Sequence, residues 1–284
     1  MADLSPPPLP NTPWQGSLDL KFAADRTRVT KLTHCESVAP YKVQRAFPCT
    51  DGTSQVVLLH TAGGMVSGDR LNLTAQLAPK AQALLTTAAA GKVYRATEDK
   101  TTFQTATIHL AENARLEWLP QETILFDQAR FHQSLRINLG AGAQVLLWDV
   151  VRLGRTAHGE SFLEGMWRSH TEVWQDGRPL WIDRSCLRAS PELWEGAEGL
   201  GGRAIVGTLV WIGGGIDQEG FEGLRGLDQW PGSCGGMTRL PYGMVCRYRG
   251  SSSTEVRRWF VQVWRHIRGE LWHCPLETPR IWMM

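Results

Sequence analysis

Residues 71–86, LNLTAQLAPKAQALLT, decide the fold of this chain. In the first half of the stretch, polar residues alternate with the apolar residues Leu71, Leu73, Ala75 and Leu77. This period of two is typical of a strand that buries one face. Pro79 and Lys80 interrupt the alternation, and a second apolar run begins at Ala81. The stretch therefore predicts a strand, a tight turn and a second strand.

The same unit occurs twice more along the chain. Its anchor leucines are Leu77, Leu110 and Leu139, which lie 33 and then 29 residues apart. An alternating segment precedes each leucine, and a short turn with a second apolar run follows it. Regular self-similarity of this kind predicts stacked β layers, as in a solenoid, in which each unit buries its face against its neighbours.

The rest of the chain adds further strands and few helices. The turn signal Asp176-Gly177 predicts a hairpin, and residues 204–212 form another apolar strand. Ser252 and Glu255 have the spacing of a capping box. An apolar stripe at helical spacing follows this box, with three arginines expected on the outer face; the stripe is Val256, Trp259, Phe260, Val263, Trp264, Ile267 and Leu271, and the arginines are Arg257, Arg258 and Arg265.

We therefore predict a mostly β protein with a stacked, solenoid-like layered architecture. It has one clear C-terminal helix and one further short helix over residues 217–227. Residues 1–30, which contain a proline-rich run, are predicted to form a partly disordered N-terminal segment. Residues 31–284 are predicted to form a single domain, because no long polar linker divides them.

Composition excludes several classes of function. Thirty Lys and Arg residues against 28 Asp and Glu residues leave a formal charge of +2, without basic or acidic clusters, so nucleic acid is not expected as a partner. No apolar run approaches the length of a membrane span. Six scattered cysteines, without a CxxC pair or an apolar signal sequence, predict a cytoplasmic protein with free thiols.

The sequence lacks the motifs of common catalytic centres. Residues 86–93 resemble a phosphate loop, but they lack its first glycine and the Ser or Thr after Lys92. No HExxH or GxSxG pattern is present. The adjacent pairs His34-Cys35 and His273-Cys274 could bind nickel or zinc, yet neighbouring residues of a strand face opposite sides, which favours an exposed His beside a buried Cys.

Polar residues follow the second strand of each repeat, and stacking would bring them into proximity. They include the carboxylates of Glu117, Glu122, Asp127, Asp149 and Glu160. One interpretation is a polar lining that binds a hydrated divalent ion weakly. The other is the commoner fate of such charges, a set of Arg–carboxylate pairs that tie adjacent layers together.

Several motifs of this chain resemble those of the UreD (also called UreH) urease accessory proteins. They are LHTAGGMVSGDRL at residues 59–71, ALLTT at 83–87, KVYR at 92–95, LEWLPQE at 116–122, LGR at 153–155, GESF at 159–162 and PRIW at 279–282. The resemblance runs from about residue 41 to residue 282, in the family's order. Two departures are local: Ser67 stands where the family often has glycine, and residues 88–90 are alanines in place of a frequent Pro-Gly.

This resemblance implies a maturation factor that is not an enzyme. With UreF and the GTPase UreG it would bind apo-urease (UreABC) and promote nickel insertion, and the resemblance admits a dimer of the UreD–UreF–UreG complex. Family members are mostly β, and an internal passage is thought to guide Ni²⁺ in transit toward the apoenzyme, without a tightly bound cofactor. Because scattered carboxylates bind Ni²⁺ transiently, our hypothesis is that the route is lined from among Asp69, Glu117, Glu122, Asp127, Asp149 and Glu160.

Two other classes of protein compete with this interpretation. Thirteen Trp residues and stacked β layers would also suit a carbohydrate-active β-solenoid protein, with tryptophans on exposed strand faces beside a pair of carboxylates. Trp118 and Trp148 instead fall on or beside the repeat strands, while Trp259 and Trp264 fall on the apolar helix stripe, as expected for core residues. A nickel storage protein would need a His-rich tract, and the sequence has none.

Overall fold

Each sequence repeat forms one layer of a stack of two β-sheets. The structure is a computed structural model that describes residues 13–227 and 234–283. In the first repeat, β6 (Arg70–Leu77) lies in one sheet, here called sheet A, and β7 (Gln82–Thr87) lies in the other, sheet B. The predicted solenoid-like stack is confirmed. The tight turn of each repeat joins the two sheets and does not pair its two strands as a hairpin.

The strands and helices of the described residues have the following bounds. The strands are β1 (Gln15–Ala24), β2 (Thr30–Val38), β3 (Tyr41–Val43), β4 (Phe47–Pro48), β5 (Ser54–His60), β6 and β7 as above, β8 (Gly91–Val93), β9 (Thr102–Leu110), β10 (Arg115–Trp118), β11 (Thr123–Leu125), β12 (Arg130–Leu139), β13 (Gln144–Leu153), β14 (Met166–Gln175), β15 (Arg178–Arg188), β16 (Ile205–Ile212), β17 (Cys234–Leu240) and β18 (Gly243–Gly250). The helices are α1 (Pro191–Glu195), α2 (Gln218–Arg225) and α3 (Ser253–His266), which continues into a π-helical turn (Ile267–Leu271); short 3-10 turns lie at Thr156–His158 and Arg280–Met283.

Sheet A is a stack of parallel strands with an antiparallel strand at each edge. Its order is β15-β14-β12-β9-β6-β1-β2, and the five inner strands are parallel to their neighbours. Leu77, Leu110 and Leu139 are direct neighbours across β6, β9 and β12. The anchor leucines of the repeat therefore form one row, although the spacing between them in sequence is unequal.

Sheet B contains the second strand of each repeat. β5, β7, β10 and β13 are parallel, and β16, β18 and β17 extend the sheet as antiparallel strands. β16 is the apolar strand that the sequence predicts at residues 204–212. The predicted hairpin at Asp176-Gly177 is formed by β14 and β15 in sheet A.

Two helices follow the sequence signals closely. The Asp217 side chain caps α2 by accepting from Gly220 N at 2.8 Å, and the Ser252 side chain caps α3 by accepting from Glu255 N at 3.3 Å. The Glu255 carboxylate accepts a hydrogen bond from the Tyr248 hydroxyl at 3.0 Å, so only half of the capping box forms. One expectation for the outer face of α3 was wrong: Arg257 is half-buried against the layer below, whereas its two companions are exposed.

The hydrophobic core has two layers. Residues between the two sheets form the larger one, which includes Leu20, Leu85, Leu116, Ile137 and Val145. The second layer lies between the outer face of sheet B and α3, and it includes Leu146, Leu209, Cys246, Phe260 and Val263. Trp259 and Trp264 of the helix stripe and Trp148 of β13 are at most 2% exposed in this second layer, as expected for core residues.

The N-terminal part of the described chain belongs to sheet A. β1 lies within the predicted segment 1–30 and pairs in parallel with β6, with Leu18 opposite Leu73. Residues 1–12 of that segment lie outside the described residues. No helix in the described ranges is long and apolar enough to cross a membrane.

Candidate functional site

An interior cavity of about 510 Å³ lies between sheet A and sheet B. Its walls come from the inward faces of β6, β9, β12 and β14 on one side and of β5, β7, β10 and β13 on the other. Most of the wall is apolar, as at Leu73 and Leu147. Polar side chains, among them Gln104, Gln133 and Asp149, interrupt it. The repeat thus encloses a space with polar groups at fixed positions.

Three loops surround the outer end of the cavity, at residues 60–65, 87–92 and 119–123. One of them is the sequence that resembles a broken phosphate loop, so this sequence supplies part of a rim and does not open a helix. Gly64 of the rim has a φ of +157°, and an added Cβ would lie 2.6 Å from the Tyr94 ring, so the position requires glycine. Lys92 lines the rim and is exposed.

Asp149 is the one carboxylate among the residues that line the cavity. It lies on β13, where it interrupts an otherwise apolar run, and its Oδ2 accepts a hydrogen bond from Gln133 Nε2 of β12. The same Gln133 amide donates to Ser169 Oγ at 3.0 Å. Burial raises the pKa of the Asp149 carboxyl to about 6, since the hydrogen bond from Gln133 only partly offsets desolvation and the Asp183 carboxylate adds repulsion. Asp149 therefore changes its charge close to neutral pH.

His60 lines the cavity on the side of β5. Its Nε2 is buried and has no hydrogen-bond partner among the described residues. Burial lowers the pKa of this imidazole, and the nearby Asp69 carboxylate acts in the opposite direction. A neutral imidazole offers a nitrogen lone pair, which is a ligand that suits nickel and zinc.

The residues that line the cavity do not form a set of ligands that would retain a metal ion. No group of three or more His, Cys, Asp or Glu side chains that could hold a metal ion occurs within residues 13–227 and 234–283. A closed site for zinc or nickel needs about three or four such ligands. One carboxylate, one imidazole and several amide and hydroxyl groups instead suit brief contacts with a hydrated ion.

The structure does not bring the six predicted carboxylates together. Asp69 is fully buried in a turn, where Oδ1 accepts from Trp14 N at 2.7 Å and Oδ2 from Val66 N at 2.8 Å. Both carboxylate oxygens therefore hold backbone amides. This arrangement fixes the loop before β6.

Glu117 lies on β10 in the second core layer and not in the cavity. Arg268 Nη1 donates to its Oε1, and Trp264 Nε1 donates to Oε2 at 2.5 Å. Arg268 also donates to Asp51 Oδ2 at 2.6 Å. Burial raises the pKa of Glu117, and the adjacent Arg268 charge opposes that rise. This buried ion pair ties the π-helical turn to sheet B.

The other three carboxylates lie in loops between strands. Asp127 Oδ1 accepts from Leu163 N at 2.8 Å, and the Asp127 amide donates to Glu160 Oε1 at 3.2 Å. Glu160 also pairs with Arg155 at 2.5 Å, and this hydrogen bond lowers the pKa of the Glu160 carboxyl. Glu122 lines a small pocket with Arg257, apart from the main cavity. The role of these residues on a nickel route stays a prediction.

One of the two adjacent His-Cys pairs differs from expectation, whereas the other has an exposed His273 beside a half-buried Cys274. Cys35 is exposed and His34 lies 3.3 Å from the Asp19 carboxylate, so this pair is not an exposed His beside a buried Cys. Cys274 accepts a hydrogen bond from Arg115 at 3.1 Å at the edge of the buried ion pair. Neither pair belongs to a metal-binding group among the described residues.

Sequence reasoning missed Gln133 and His60. The inward positions of β12 are otherwise apolar, so a glutamine at position 133 is a polar residue where the alternation requires an apolar one. That break in the pattern was the available signal. His60 ends β5 two positions after the buried Leu58, so it too is a polar residue at an inward position.

The cavity is a poor fit for carbohydrate hydrolysis. Asp149 is its one carboxylate, whereas glycoside hydrolysis uses a pair of carboxyl groups. Trp148 and Trp118 contribute to its wall, but Trp148 is almost fully buried and donates its Nε1 hydrogen to Pro120 O at 2.7 Å. A stacked sugar would need an exposed aromatic face.

Comparison with known proteins places the whole described architecture in one family. The sequence profile described as UreD urease accessory protein matches residues 15–283. The chain is 48% identical over 272 residues to the urease accessory protein UreD of Nostoc punctiforme, an alignment that covers 95% of this chain and 96% of the relative. The corresponding proteins of Nostoc sp. and Acaryochloris marina are 49% and 46% identical, each over 95% of this chain and 96% and 95% of their own length. This chain therefore belongs to the UreD family of urease accessory proteins.

Proposed function

We propose that this protein is a maturation factor for urease, and that Ni²⁺ passes through its interior cavity on the way to the apoenzyme. In this proposal it acts in the cytoplasm as a scaffold, without catalytic activity of its own, in a complex with UreF and the GTPase UreG. The complex docks on apo-urease and assists GTP-dependent insertion of nickel. The names of the relatives support the role in urease maturation.

The observation that carries the nickel passage is the half-buried carboxylate of Asp149 in the wall of a mostly apolar cavity. Placing an ionised carboxyl group in such a wall costs free energy unless it is paired with a cation. Asp149 has a glutamine and no cationic side chain as its hydrogen-bond partner. A passing divalent cation would supply the missing positive charge.

The same geometry supports release as well as entry. Ni²⁺ exchanges slowly from sites with several imidazole or thiolate ligands, and a carrier must avoid such sites. Along the cavity the groups that could contact the ion include Asp149, His60, Gln104 and Gln133, and no closed set of His, Cys, Asp or Glu ligands occurs among the described residues. The ion can therefore keep most of its water ligands during passage.

Coexpression tests the scaffold part of the proposal. A cell that produces urease subunits, UreF and UreG is compared with and without this chain, and the complex is isolated through a tag on UreF. We expect this chain, UreG and apo-urease to copurify, and we expect nickel in urease only when the chain is present. Failure of the chain to associate with UreF, or equal nickel content without it, would overturn the proposal.

A further inference from the structure

One row of polar side chains leads sideways from the cavity to the surface. Antiparallel pairing places Asp149 of β13 opposite Thr208 of β16, and Thr208 opposite Arg247 of β18. In sheet A, Thr171 of β14 lies opposite Asp183 of β15. Asp149 and Thr171 line the cavity, so Thr208, Arg247 and Asp183 are the next residues outward in each sheet.

An ion pair closes the outer end of this row. Arg247 donates from Nη1 to Asp183 Oδ2 at 2.6 Å and from Nη2 to Oδ1 at 2.8 Å, and it also donates to Thr208 Oγ1 at 2.9 Å. Its guanidinium lies 5.9 Å from the centre of the Trp181 ring. These contacts join the edge strand of sheet A to sheet B.

The single ion pair that closes the row lies at the surface. The side chains of Arg247 and Asp183 are 49% and 24% exposed. The bidentate contact makes this pair stronger than most surface ion pairs, but water reaches the half-exposed Arg247 side chain and can replace its partners when it turns outward. Rotation of the Arg247 side chain would open the row.

The charges of Arg247 and Asp183 affect how strongly the path would attract a cation. With Arg247 in place, the positive guanidinium neutralises Asp183 and stands between solvent and Asp149. With Arg247 turned away, the Asp183 and Asp149 carboxylates would face the same path from opposite sheets. A path lined by one sign of charge raises the local concentration of counter-ions.

We propose that the Arg247–Asp183 ion pair is a latch that closes a second, lateral opening of the cavity, and that its release connects Asp149 to the surface for a divalent cation. The cavity thereby has two ends, the rim at residues 60–65, 87–92 and 119–123 and the latch between β15 and β18. That the cation is cargo of this protein rests on the proposed function. The lateral opening does not depend on the proposed function.

Accessibility of an introduced cysteine tests the latch in the full chain. Thr171→Cys places a reporter on the latch side of the cavity, and Thr123→Cys places one at the rim. Each is combined with Arg247→Ala, or with Arg136→Ala as the control. Arg136 is a matched choice, because it is 47% exposed and pairs with Glu172 at 3.1 Å. The labelling rate of each introduced thiol is followed by peptide mass spectrometry, which separates it from the native cysteines.

Two methanethiosulfonate reagents of similar size are compared, one with a trimethylammonium group and one neutral. Arg247→Ala is expected to raise the rate of cationic labelling in the Thr171→Cys variant by about tenfold or more, and by more than the neutral rate, because of the exposed carboxylates. The rate in the Thr123→Cys variant and all rates in Arg136→Ala should stay unchanged. Thermal unfolding of the two alanine variants shows whether either has lost structure.

Each outcome bears on the latch. An equal labelling rate of Thr171→Cys with and without Arg247, or an equal rise in Arg136→Ala, would overturn the proposal. A rise of the neutral rate alone would also overturn it, since the path would then lack selection for cations. If labelling behaves as expected while Asp149→Asn leaves the nickel content of urease unchanged, the lateral opening is supported and the nickel passage is overturned. If Asp149→Asn lowers the nickel content while Arg247→Ala does not change the labelling, the nickel passage is supported and the latch is overturned.

Discussion

At the scale of single residues, Asp149 sets the chemistry of the cavity. It is a carboxylate at a position where the neighbouring inward residues of β13 are apolar, and the sequence alone identified it among six candidates. Four of the other five accept hydrogen bonds from backbone amides or from arginine, as Asp69 does from two amides. The fifth, Glu122, lies beside Arg257. Asp149 differs from these residues, because its hydrogen bond comes from the side-chain amide of Gln133.

The raised pKa of the Asp149 carboxyl predicts how the stability of the protein depends on pH. The pKa of its carboxyl rises from 3.8 to about 6 on folding, so the contribution of this group to stability is complete below pH 4 and is lost as pH rises through 6. Asp149→Asn removes the effect. We therefore expect the free energy of unfolding of the variant to gain up to about 3 kcal/mol relative to the unmodified protein between pH 4 and pH 7.

Urea unfolding of both proteins across this pH range measures that difference. Asp183→Asn serves as a second variant, because removal of its charge should lower the pKa of Asp149 and reduce the pH dependence. A difference between Asp149→Asn and the unmodified protein that stays constant with pH would contradict the assignment.

Replacement of Glu122 or Asp149 distinguishes the set of six carboxylates predicted from the sequence from a nickel route through the main cavity. Both were proposed for the nickel route, but Glu122 lies in the small pocket beside Arg257 and Asp149 lies in the main cavity. If the cavity is the route, Asp149→Asn lowers the nickel content of urease and Glu122→Gln lowers it much less. Metal analysis of purified urease from cells carrying each variant decides between them, and a larger loss with Glu122→Gln would favour a route outside the cavity.

At the scale of the elements, the buried ion pair of Arg268 attaches the C-terminal helix to sheet B. Arg268 contacts Glu117 and Asp51, and all three side chains are at most 7% exposed. Removal of one partner from a buried pair leaves an uncompensated charge. Arg268→Ala should therefore lower the free energy of unfolding by about 3–5 kcal/mol.

Chemical denaturation measures this loss, with Arg265→Ala as the control on the same helix. Arg265 is exposed and donates to Thr278 at 3.2 Å, so its replacement should change stability by about 0.5 kcal/mol or less. A small effect of Arg268→Ala would show that the ion pair does not anchor the helix.

The strands were predictable from sequence for a local reason. Alternation in β6 and in its two copies fixes which face is buried, and this signal needs no knowledge of the partner strand. The binding partners of the carboxylates were not predictable in the same way. Whether Asp127 binds an ion or a backbone amide depends on the conformation of the loop at residues 163–164, and strand periodicity carries no information about it.

At the scale of the whole molecule, the two β-sheets hold a cavity between them. The repeat predicted the stack, and the family resemblance, which the match over residues 15–283 confirms, predicted the role in urease maturation. The cavity lies against small and polar inward side chains of sheet A, at Ala106, Thr171 and Gln133, across from sheet B. A volume of this kind depends on packing across the two sheets, so no single segment of sequence encodes it.

The nickel content of urease matured with Asp149→Asn tests the central claim most directly. Urease is coexpressed with UreF, UreG and either the unmodified chain, Asp149→Asn or the control Glu222→Gln, which lies on the exposed face of α2. Nickel per active site and recovery of the accessory complex are measured together. The account predicts that Asp149→Asn leaves the complex intact and clearly lowers nickel per active site, while Glu222→Gln changes neither; full nickel loading with Asp149→Asn would contradict it.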